Sequence, residues 1–479
     1  MTTAPTPYNA PTTAPAHLTA KAASPLSGLL AHLATSPGRM QFFAASIALL
    51  SFLLWLLTQS GLSAARNGIQ AVGKDSAPSI VAAEQINASL ADMDANAANG
   101  FLANNQANAT GDYEKDRADA NNALVDAAKN ITYGDEERLP IFALTSGLQQ
   151  YVGLIEQARL LGKPAGLAKL SEAYKLMHGA LIPAAKKLDD VNFAHLKTSY
   201  DAGEQDLSLH QGLILLGGGL LLAALIAAQL YTMRKTRRLI NLPMAGATLV
   251  TALFVLMMFV ALTNEKERLR AAKADGFDSI HVLSQLRATA YDANGDETQY
   301  LLVHQSEPGL RSTQRVAYTQ NFQEKTKAIA DAPPPRLATS STPASGQQTD
   351  FKGLLAEEFN NITFPGEKEA AEQTAHDYAK YLEIDAKIRQ LEETNQTQSH
   401  ADAVALCTGE RPDQSNGAFK KFDASLSAVL KINQDQFDET VAAAFGTFKW
   451  AMPLAPVLAL LIAFLAWFGL HQRIREYSV

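Results

Sequence analysis

Residues 42–62 read FFAASIALLSFLLWLLTQSGL, and residues 212–231 read GLILLGGGLLLAALIAAQLY. Neither stretch contains a charged residue, and the stretches 240–262 and 450–470 share this property. A helix needs about 20 apolar residues to cross a hydrocarbon layer of about 30 Å. The four stretches therefore predict four transmembrane helices in this chain of 479 residues, and they exclude a single soluble globule.

The distribution of charge predicts how these helices are oriented. The short segments 1–41, 232–239 and 471–479 have net charges of +2, +4 and +1, and short basic loops stay in the cytoplasm. The long segments 63–211 and 263–449 have net charges of −6 and −8. We therefore predict a multi-pass protein of the cell membrane with both termini in the cytoplasm and two acidic segments outside. A cleaved signal peptide is the alternative interpretation of the first apolar stretch.

The chain contains two low-complexity segments and a single cysteine. The segment 1–41 begins with an Ala/Pro/Thr tract that cannot bury enough apolar surface to fold, so it predicts a disordered cytoplasmic tail. A Pro-rich insert at 332–348 predicts an exposed loop. Cys407 is the only cysteine, is expected in an outer loop, and permits no intramolecular disulfide. The net charge of −7 and the lack of a long basic block disfavour a nucleic-acid partner.

The two halves of the chain carry an internal repeat. At an offset of 200 residues, the pattern Q-I-x-A-S-x-x-D at 85–92 matches Q-L-x-A-T-x-x-D at 285–292. Between residues 69 and 102, eight of 34 positions are identical to those 200 residues later. This match predicts a duplication, which would determine the architecture. The polar residues of the repeated motif would form a shared polar contact, a small-molecule pocket, or packing retained after duplication; they are Gln85, Asp92, Gln285 and Asp292.

The acidic segments show helical periodicity and no long strand pattern. Apolar residues recur every three or four positions, for example at Ala83, Ile86, Leu90, Met93, Ala97 and Phe101. Breaks near Gly111, 132–137 and 162–166 divide the segment 63–211 into four helices. The predicted fold class is an all-α membrane protein with four transmembrane helices. Two extracytoplasmic four-helix-bundle domains, 63–211 and 263–449, form its internal repeat.

The chain contains no motif of a known catalytic or nucleotide-binding site. HExxH, GxSxG, the P-loop and the Rossmann glycine pattern are absent from the sequence. We therefore expect no enzyme, and we assign no catalytic residue, cofactor or metal ligand. The acid pairs at 92/94 and 189/190 and the pair Lys186-Lys187 are interpreted as solvated helix surface. The apolar stretches contain no charged residue, which disfavours a transporter.

The basic cytoplasmic hairpin 232–239 is a candidate output site. Its four cations could contact an acidic partner or lipid phosphate, and the alternative interpretation is an ordinary topology signal. The four candidate residues are Arg234, Lys235, Arg237 and Arg238.

A helical bundle that continues into its membrane spans is similar to the ligand-binding domains of bacterial chemoreceptors and sensor kinases. Two such bundles, four spans and short basic inner segments resemble the GlnX family of actinobacterial four-span membrane proteins. The resemblance implies that a solute-binding lipoprotein for aspartate or glutamate docks outside, and that the signal passes to the cytoplasmic serine/threonine kinase PknG. It identifies no functional residue.

The expected function is therefore the relay of extracytoplasmic amino-acid status across the lipid bilayer. A partner would dock on the membrane-distal tips, expected at 101–113, 162–166, 304–311 and 409–416. Close approach of glycine-rich spans favours packing or a homodimer. The alternatives are a chemoreceptor-like sensor that binds its ligand directly, a structural scaffold of the envelope, and a transporter subunit.

Overall fold

The computed structural model shows a protein that is built mainly of long helices. The described residues are 35–103, 106–236, 241–305, 308–332, 351–394 and 396–476. Every regular element among them is a helix, which confirms the expected all-α class. Helix α1 begins at Ser36, so the last residues of the predicted disordered tail are helical.

Four helical segments make up the first half of the described chain. They are α1 (Ser36–Gln70) with α2 (Ala77–Leu102), α3 (Gln106–Lys129), α4 (Asp135–Leu161), and α5 (Gly166–Leu176) with α6 (Ile182–Thr236). A π-helical turn, Ala71–Ser76, joins α1 to α2, and a second one, Met177–Leu181, joins α5 to α6. Two long segments therefore flank two shorter ones.

The second half follows the same order with additional short helices. It contains α7 (Leu242–Arg270) with α8 (Asp278–Leu302), a 3₁₀ turn (Val303–Gln305), α9 (Pro308–Ile329), α10 (Leu354–Asn360), α11 (Glu367–Glu393), α12 (Thr397–Cys407) and α13 (Ser415–Arg475). A π-helical turn, Ala271–Phe277, joins α7 to α8. It begins 200 residues after the turn Ala71–Ser76, and this agreement with the sequence offset supports the duplication.

The predicted breaks between helices are only partly correct. The breaks at 132–137 and 162–166 are confirmed, because α4 begins at Asp135 and ends at Leu161. Both of its ends are set by glycines in the left-handed region, Gly134 with φ 68° and Gly162 with φ 61°. The expected break at Gly111 is wrong, because this exposed glycine lies inside α3. A glycine in an exposed helix costs only about 1 kcal/mol, which does not end the helix.

Four helices carry the apolar stretches and are long enough to span a membrane. Many large hydrophobic side chains in these stretches are exposed, which would be unfavourable in water and is favourable in lipid. Examples from each stretch are Phe52, Leu216, Leu253 and Leu460. These helices make this a multi-pass membrane protein, whereas the orientation of its termini stays a prediction.

Most of each apolar stretch belongs to one of two compact units. This unit comprises the described residues up to 56, residues 216–255 and those from 456 onward. Within it, the glycine run of the second apolar stretch allows the close approach that its sequence predicts. A Cβ atom added at Gly218 would lie 2.3 Å from Val255 Cγ2, whereas one added at Gly219 would meet no atom within 4 Å.

Gly218→Val is therefore expected to destabilise the unit by about 2 kcal/mol, because the new side chain overpacks the contact with Val255. The matched control is Gly219→Val, which adds the same side chain one residue later and should be tolerated. The thermal unfolding of both variants in detergent checks this expectation. Equal melting temperatures for the two variants would show that the contact does not matter.

The two acidic segments together form the second compact unit, residues 57–215 and 256–455. Helices α2 and α8 pack against each other at its centre, where Gly295 lies against Ala95 and Thr298 Oγ1 donates a hydrogen bond to Asn99 Oδ1 at 2.9 Å. Nineteen of the 26 residues of α2 are buried, although a helix in a single bundle normally buries one stripe. Two separate four-helix-bundle domains are therefore not confirmed.

The predicted core stripe is confirmed. All of its members on α2 are buried, as are their equivalents on α8, namely Leu283, Leu286, Ala290, Ala293 and Leu301. The expected position of Cys407 in an outer loop is wrong, because this residue is buried at the end of α12. Its Sγ lies 3.9 Å from Thr298 Oγ1 on α8. Apart from Ala332, the Pro-rich insert lies outside the described residues.

Candidate functional site

A cavity of about 190 Å³ lies between the central helices α2 and α8 and the long helix α13. Its wall combines both signs of charge with amide and hydroxyl groups. The residues that line it are Val81, Glu84, Gln85, Ala88, Ser284, Arg287, Ser427, Leu430 and Gln434. Gln85 of the repeated motif is among them, whereas its equivalent Gln285 is not.

A cluster of charged side chains lies next to this cavity and shares Glu84 with it. His281 of α8 lies with its Nδ1 atom 2.5 Å from Glu84 Oε1 of α2 and 3.7 Å from Asp189 Oδ1 of α6. The ring of Phe193 stacks on the imidazole at 4.4 Å. The amide of Gln285 lies 2.8 Å from His281 Nε2 and orients the ring.

The cavity and this cluster occupy equivalent positions in the two halves. The offset of 200 residues relates His281 to Val81 and Glu84 to Ser284. In the last helix of each half, Asn192 of α6 matches Asn433 of α13, because both are buried and both donate a hydrogen bond to the carbonyl four residues earlier. The offset between the two last helices is therefore 241 residues. This offset relates Asp189 to Leu430 and Phe193 to Gln434. The cavity is thus open where Val81, Ser284, Leu430 and Gln434 take the places of His281, Glu84, Asp189 and Phe193.

Burial changes the pKa values of the cluster. Burial, followed by the negative charge of Glu84, raises the pKa of Asp189 to about 7. Burial also raises the pKa of Glu84, and the Ser284 hydroxyl opposes this shift. Burial lowers the pKa of His281 despite the neighbouring carboxylates of Asp189, Asp190 and Asp278. At neutral pH, the cluster therefore holds protons on its carboxyl groups more readily than solvated acids do.

The contribution of Asp189 to the stability of the protein is expected to fall as the pH rises from about 4 to about 7. A carboxyl whose pKa is higher in the folded state stabilises that state while protonated, and this contribution is lost as the pH rises through the folded pKa. His281 affects the stability only below about pH 6.5, where the lowering of its pKa opposes folding. Melting temperatures measured in the presence of a chelator check the trend. Asp189→Asn should flatten it, and an unchanged slope in that variant would contradict the assignment.

The prediction that the acid pairs lie on the solvated surface is wrong in part, because some of these acids are buried. Asp94 and Asp189 are buried, whereas Asp190 and the Lys186-Lys187 pair are exposed. Asp94 accepts a hydrogen bond from Tyr151 Oη at 2.8 Å and lies 3.2 Å from His178 Nε2. The helical pattern could not reveal this burial, because distant segments cover these acids: Tyr151 and His178 contact Asp94, and His281 of the other half contacts Asp189.

The remaining residues of the repeated motif have different partners in the two halves. Asn96 Nδ2 donates to Asp92 Oδ1 at 3.0 Å, whereas Lys325 Nζ lies 2.8 Å from Asp292 Oδ1. Gln85 Nε2 donates to Ser89 Oγ at 3.0 Å. The residues of the repeated motif therefore do not make the same polar contacts in the two halves.

Sequence reasoning missed a second repeated motif, N-I-T followed by an aromatic residue, at 130–133 and 361–364. Asn130 Nδ2 donates to Ser79 Oγ at 2.7 Å and to the carbonyl of Asp75 at 2.9 Å. Asn361 Nδ2 makes the same contacts, to Ser279 Oγ at 2.7 Å and to the carbonyl of Ala274 at 3.0 Å. Both carbonyls lie in the π-helical turns. Asn130 thus ties the loop before α4, and Asn361 the loop before α11, to a π-helical turn. The shared N-I-T pattern was the available signal.

The candidate output residues are only partly described. Arg234 and Lys235 lie in the last turn of α6, where positive charge is favourable near the carboxyl end of a helix. Arg237 and Arg238 lie outside the described residues.

A second cluster of titratable residues joins α11, α12 and the end of α8. His400 Nδ1 contacts Glu392 Oε1, and the rings of His304 and His400 stack at 3.8 Å. Arg315 Nη2 lies 2.7 Å from Glu392 Oε2. The guanidinium and His400 lower the pKa of Glu392 against the opposing effect of burial, so this carboxylate is already compensated by a cation.

Comparison with protein families connects the first half with sensing. Residues 68–201 match the model of a family described as an actinobacterial sensor domain. This part of the chain resembles a sensor. The match supports a sensor protein of actinobacteria, and the sensor-like region includes Glu84, Gln85 and Asp189. Comparison with curated proteins and with solved structures found no match. The narrower resemblance to the GlnX family stays a prediction.

Proposed function

We propose that this protein is a transmembrane sensor that binds a small amino acid in the cavity beside Gln85 and passes the bound state to a cytoplasmic partner. The cavity is the observation that carries the proposal. Its volume of about 190 Å³ is below the range of about 300–1,000 Å³ of sites for drug-sized ligands. A small solute is therefore the matching occupant.

The wall of the cavity provides the groups that a zwitterion requires. Glu84 is buried, and its Oε2 atom receives no hydrogen bond from the described residues, so it is available to an ammonium group. The guanidinium of Arg287 has five N–H donors, of which Asp423 takes two, at 2.6 and 2.9 Å. We propose that an N–H group outside this pair binds the carboxylate of the ligand. Gln85 and Gln434 provide amides for a polar side chain of the ligand.

The helices of the cavity offer a direct route for the signal. Helix α13 contributes Ser427 to the wall and continues without interruption to Arg475 through the fourth apolar stretch. Shifts of about 1–2 Å along such helices are an established way to switch a receptor. We propose that this shift reaches the basic end of α6, where Arg234 and Lys235 contact a cytoplasmic serine/threonine kinase.

Calorimetry on the purified full-length protein in nanodiscs tests the ligand site. Aspartate, glutamate and glutamine are titrated separately, and saturable binding of at least one is expected. Ser427→Leu fills the cavity and should reduce the affinity at least tenfold. Ala428→Leu is the matched control, because residue 428 is exposed on the same helix. Absence of binding, or equal affinity in the Ser427→Leu variant, would overturn the direct sensor.

Exposed leucines favour a second candidate, in which a solute-binding lipoprotein delivers the signal. Leu160 and Leu161 at the end of α4 are 87% and 54% exposed, and they precede one of the predicted docking tips, 162–166. Exposed apolar side chains at a helix end are typical of protein contacts. Pull-down with a tagged lipoprotein tests this candidate, with and without glutamate.

In that experiment, Leu160→Asp should abolish capture, whereas Leu139→Asp, on the same helix and 67% exposed, should not. Capture that depends on glutamate, combined with no direct binding of glutamate to the sensor, would favour the lipoprotein relay. A structural scaffold would show neither response.

A further inference from the structure

We propose that Glu84, Asp189 and His281 form a binding site for a divalent transition-metal ion, with Zn²⁺ as the best match. Three helices, α2, α6 and α8, each contribute one ligand. Their ligand atoms all lie within 4.8 Å of one another. Imidazole nitrogen and carboxylate oxygen are both zinc ligands, and three protein ligands leave a fourth position open.

The distances in the cluster suit a small ion after a modest adjustment. His281 Nδ1 lies 3.7 Å from Asp189 Oδ1 and 2.5 Å from Glu84 Oε1. Around a tetrahedral zinc ion, neighbouring ligand atoms are roughly 3.3 Å apart, given bonds of about 2.0–2.1 Å. The ion would therefore replace the direct hydrogen bond between His281 and Glu84, and the separation between Asp189 and His281 would change little.

Charge and unused hydrogen-bonding capacity both point to a cation. Glu84 is only 4% exposed, and its Oε2 atom receives no hydrogen bond from the described residues. Asp189 Oδ1 is also buried without a hydrogen bond from them. Among the described residues, the ion pairs of Glu84 and Asp189 are with His281 and not with a Lys or Arg. Two buried carboxylates therefore share one imidazole, and a divalent ion would compensate their charge.

The surroundings hold the imidazole as metal sites usually do. A metal-bound histidine donates its other ring N–H to an oriented acceptor. Gln285 is placed for this role at 2.8 Å from His281 Nε2, and its amide would present the oxygen to that N–H, since the two amide orientations are nearly indistinguishable. Phe193 stacks on the ring and limits its rotation.

The cluster of His304, Glu392 and His400 provides an internal control. It contains the same kinds of ligand atom within the same distance of one another. However, Arg315 Nη2 already forms an ion pair with Glu392 Oε2 at 2.7 Å. A second cation at this position would therefore be repelled. The two clusters therefore differ in the feature that the proposal depends on.

Titration of the metal-free full-length protein in nanodiscs with Co²⁺ and Zn²⁺ tests the site. One equivalent of Co²⁺ should bind with visible absorption bands typical of nitrogen and oxygen ligands, and Zn²⁺ should displace it. His281→Gln and Glu84→Gln should each weaken binding at least tenfold. Gln285→Ala should weaken it to a smaller extent. His304→Gln/His400→Gln should leave the stoichiometry and affinity unchanged.

Folding is monitored by circular dichroism, so that a loss of binding is interpreted only for folded variants. Asp189→Asn provides a second ligand variant should His281→Gln fail to fold. Binding retained by folded His281→Gln, or lost in His304→Gln/His400→Gln, would overturn the proposal. Absence of saturable binding of either ion at micromolar concentrations would also overturn it. Both proposed sites use Glu84, so the titration is carried out without amino acid; its readout is metal binding itself, which distinguishes its failure from a failure of the proposed function.

Discussion

Glu367→Ala is expected to destabilise the second compact unit by about 3 kcal/mol or more. The carboxylate is buried at the start of α11, where Oε2 accepts hydrogen bonds from the backbone N–H groups of Thr363 at 2.8 Å and Phe364 at 2.9 Å. Its Oε1 atom accepts a third from Asn433 Nδ2 at 2.7 Å. Alanine would leave all three donors without a partner. Chemical denaturation monitored by circular dichroism measures the change.

Glu367→Gln is the matched control for this prediction. A glutamine oxygen can accept from both backbone N–H groups, while the amide of Asn433 can turn to present its unpaired oxygen. The loss should then be about 1 kcal/mol. Glu137 makes the equivalent contacts in the first half, accepting from the N–H groups of Thr132 and Tyr133 at 2.6 Å. Glu137→Ala should therefore also destabilise. A neutral result for both alanine variants would contradict the role of these carboxylates.

Arg287→Met is expected to cost about 3 kcal/mol, because it leaves a partly buried acid without its cation. Arg287 of α8 binds Asp423 of α13 through two hydrogen bonds, at 2.6 and 2.9 Å. It also lowers the pKa of Asp92, which burial and the charge of Asp116 raise. Thermal unfolding of the full-length protein at pH 7.5 measures the loss.

A double-mutant cycle separates this pair from general packing. Arg287→Met/Asp423→Leu removes both charges and should recover most of the lost stability, because replacing a buried ion pair by apolar residues is often neutral. The double variant should still fail to bind an amino acid, since the proposed carboxylate contact is gone. Additive losses in the two single variants would show that the residues do not act as a pair.

The internal repeat illustrates how far the sequence leads and where it stops. The positions Gln85 and Gln285 were recognised as equivalent from the sequence, yet one lines a cavity and the other orients His281. Equivalent residues diverged because their neighbours on α6 and α13 differ, with Asp189 facing one and Leu430 the other. Such neighbours are 96 and 345 residues away in the chain, so local patterns contain no information about them.

The sequence by itself determined the four apolar helices, the all-helical class and the core stripes, because these depend on local composition and periodicity. Only the tertiary structure decided that the two acidic segments share one compact unit, and that Asp94, Asp189 and Cys407 are buried. A helix with polar residues beside its apolar stripe resembles a surface helix in sequence. Its polar face becomes interior only when a second set of helices covers it, and that depends on contacts between distant segments.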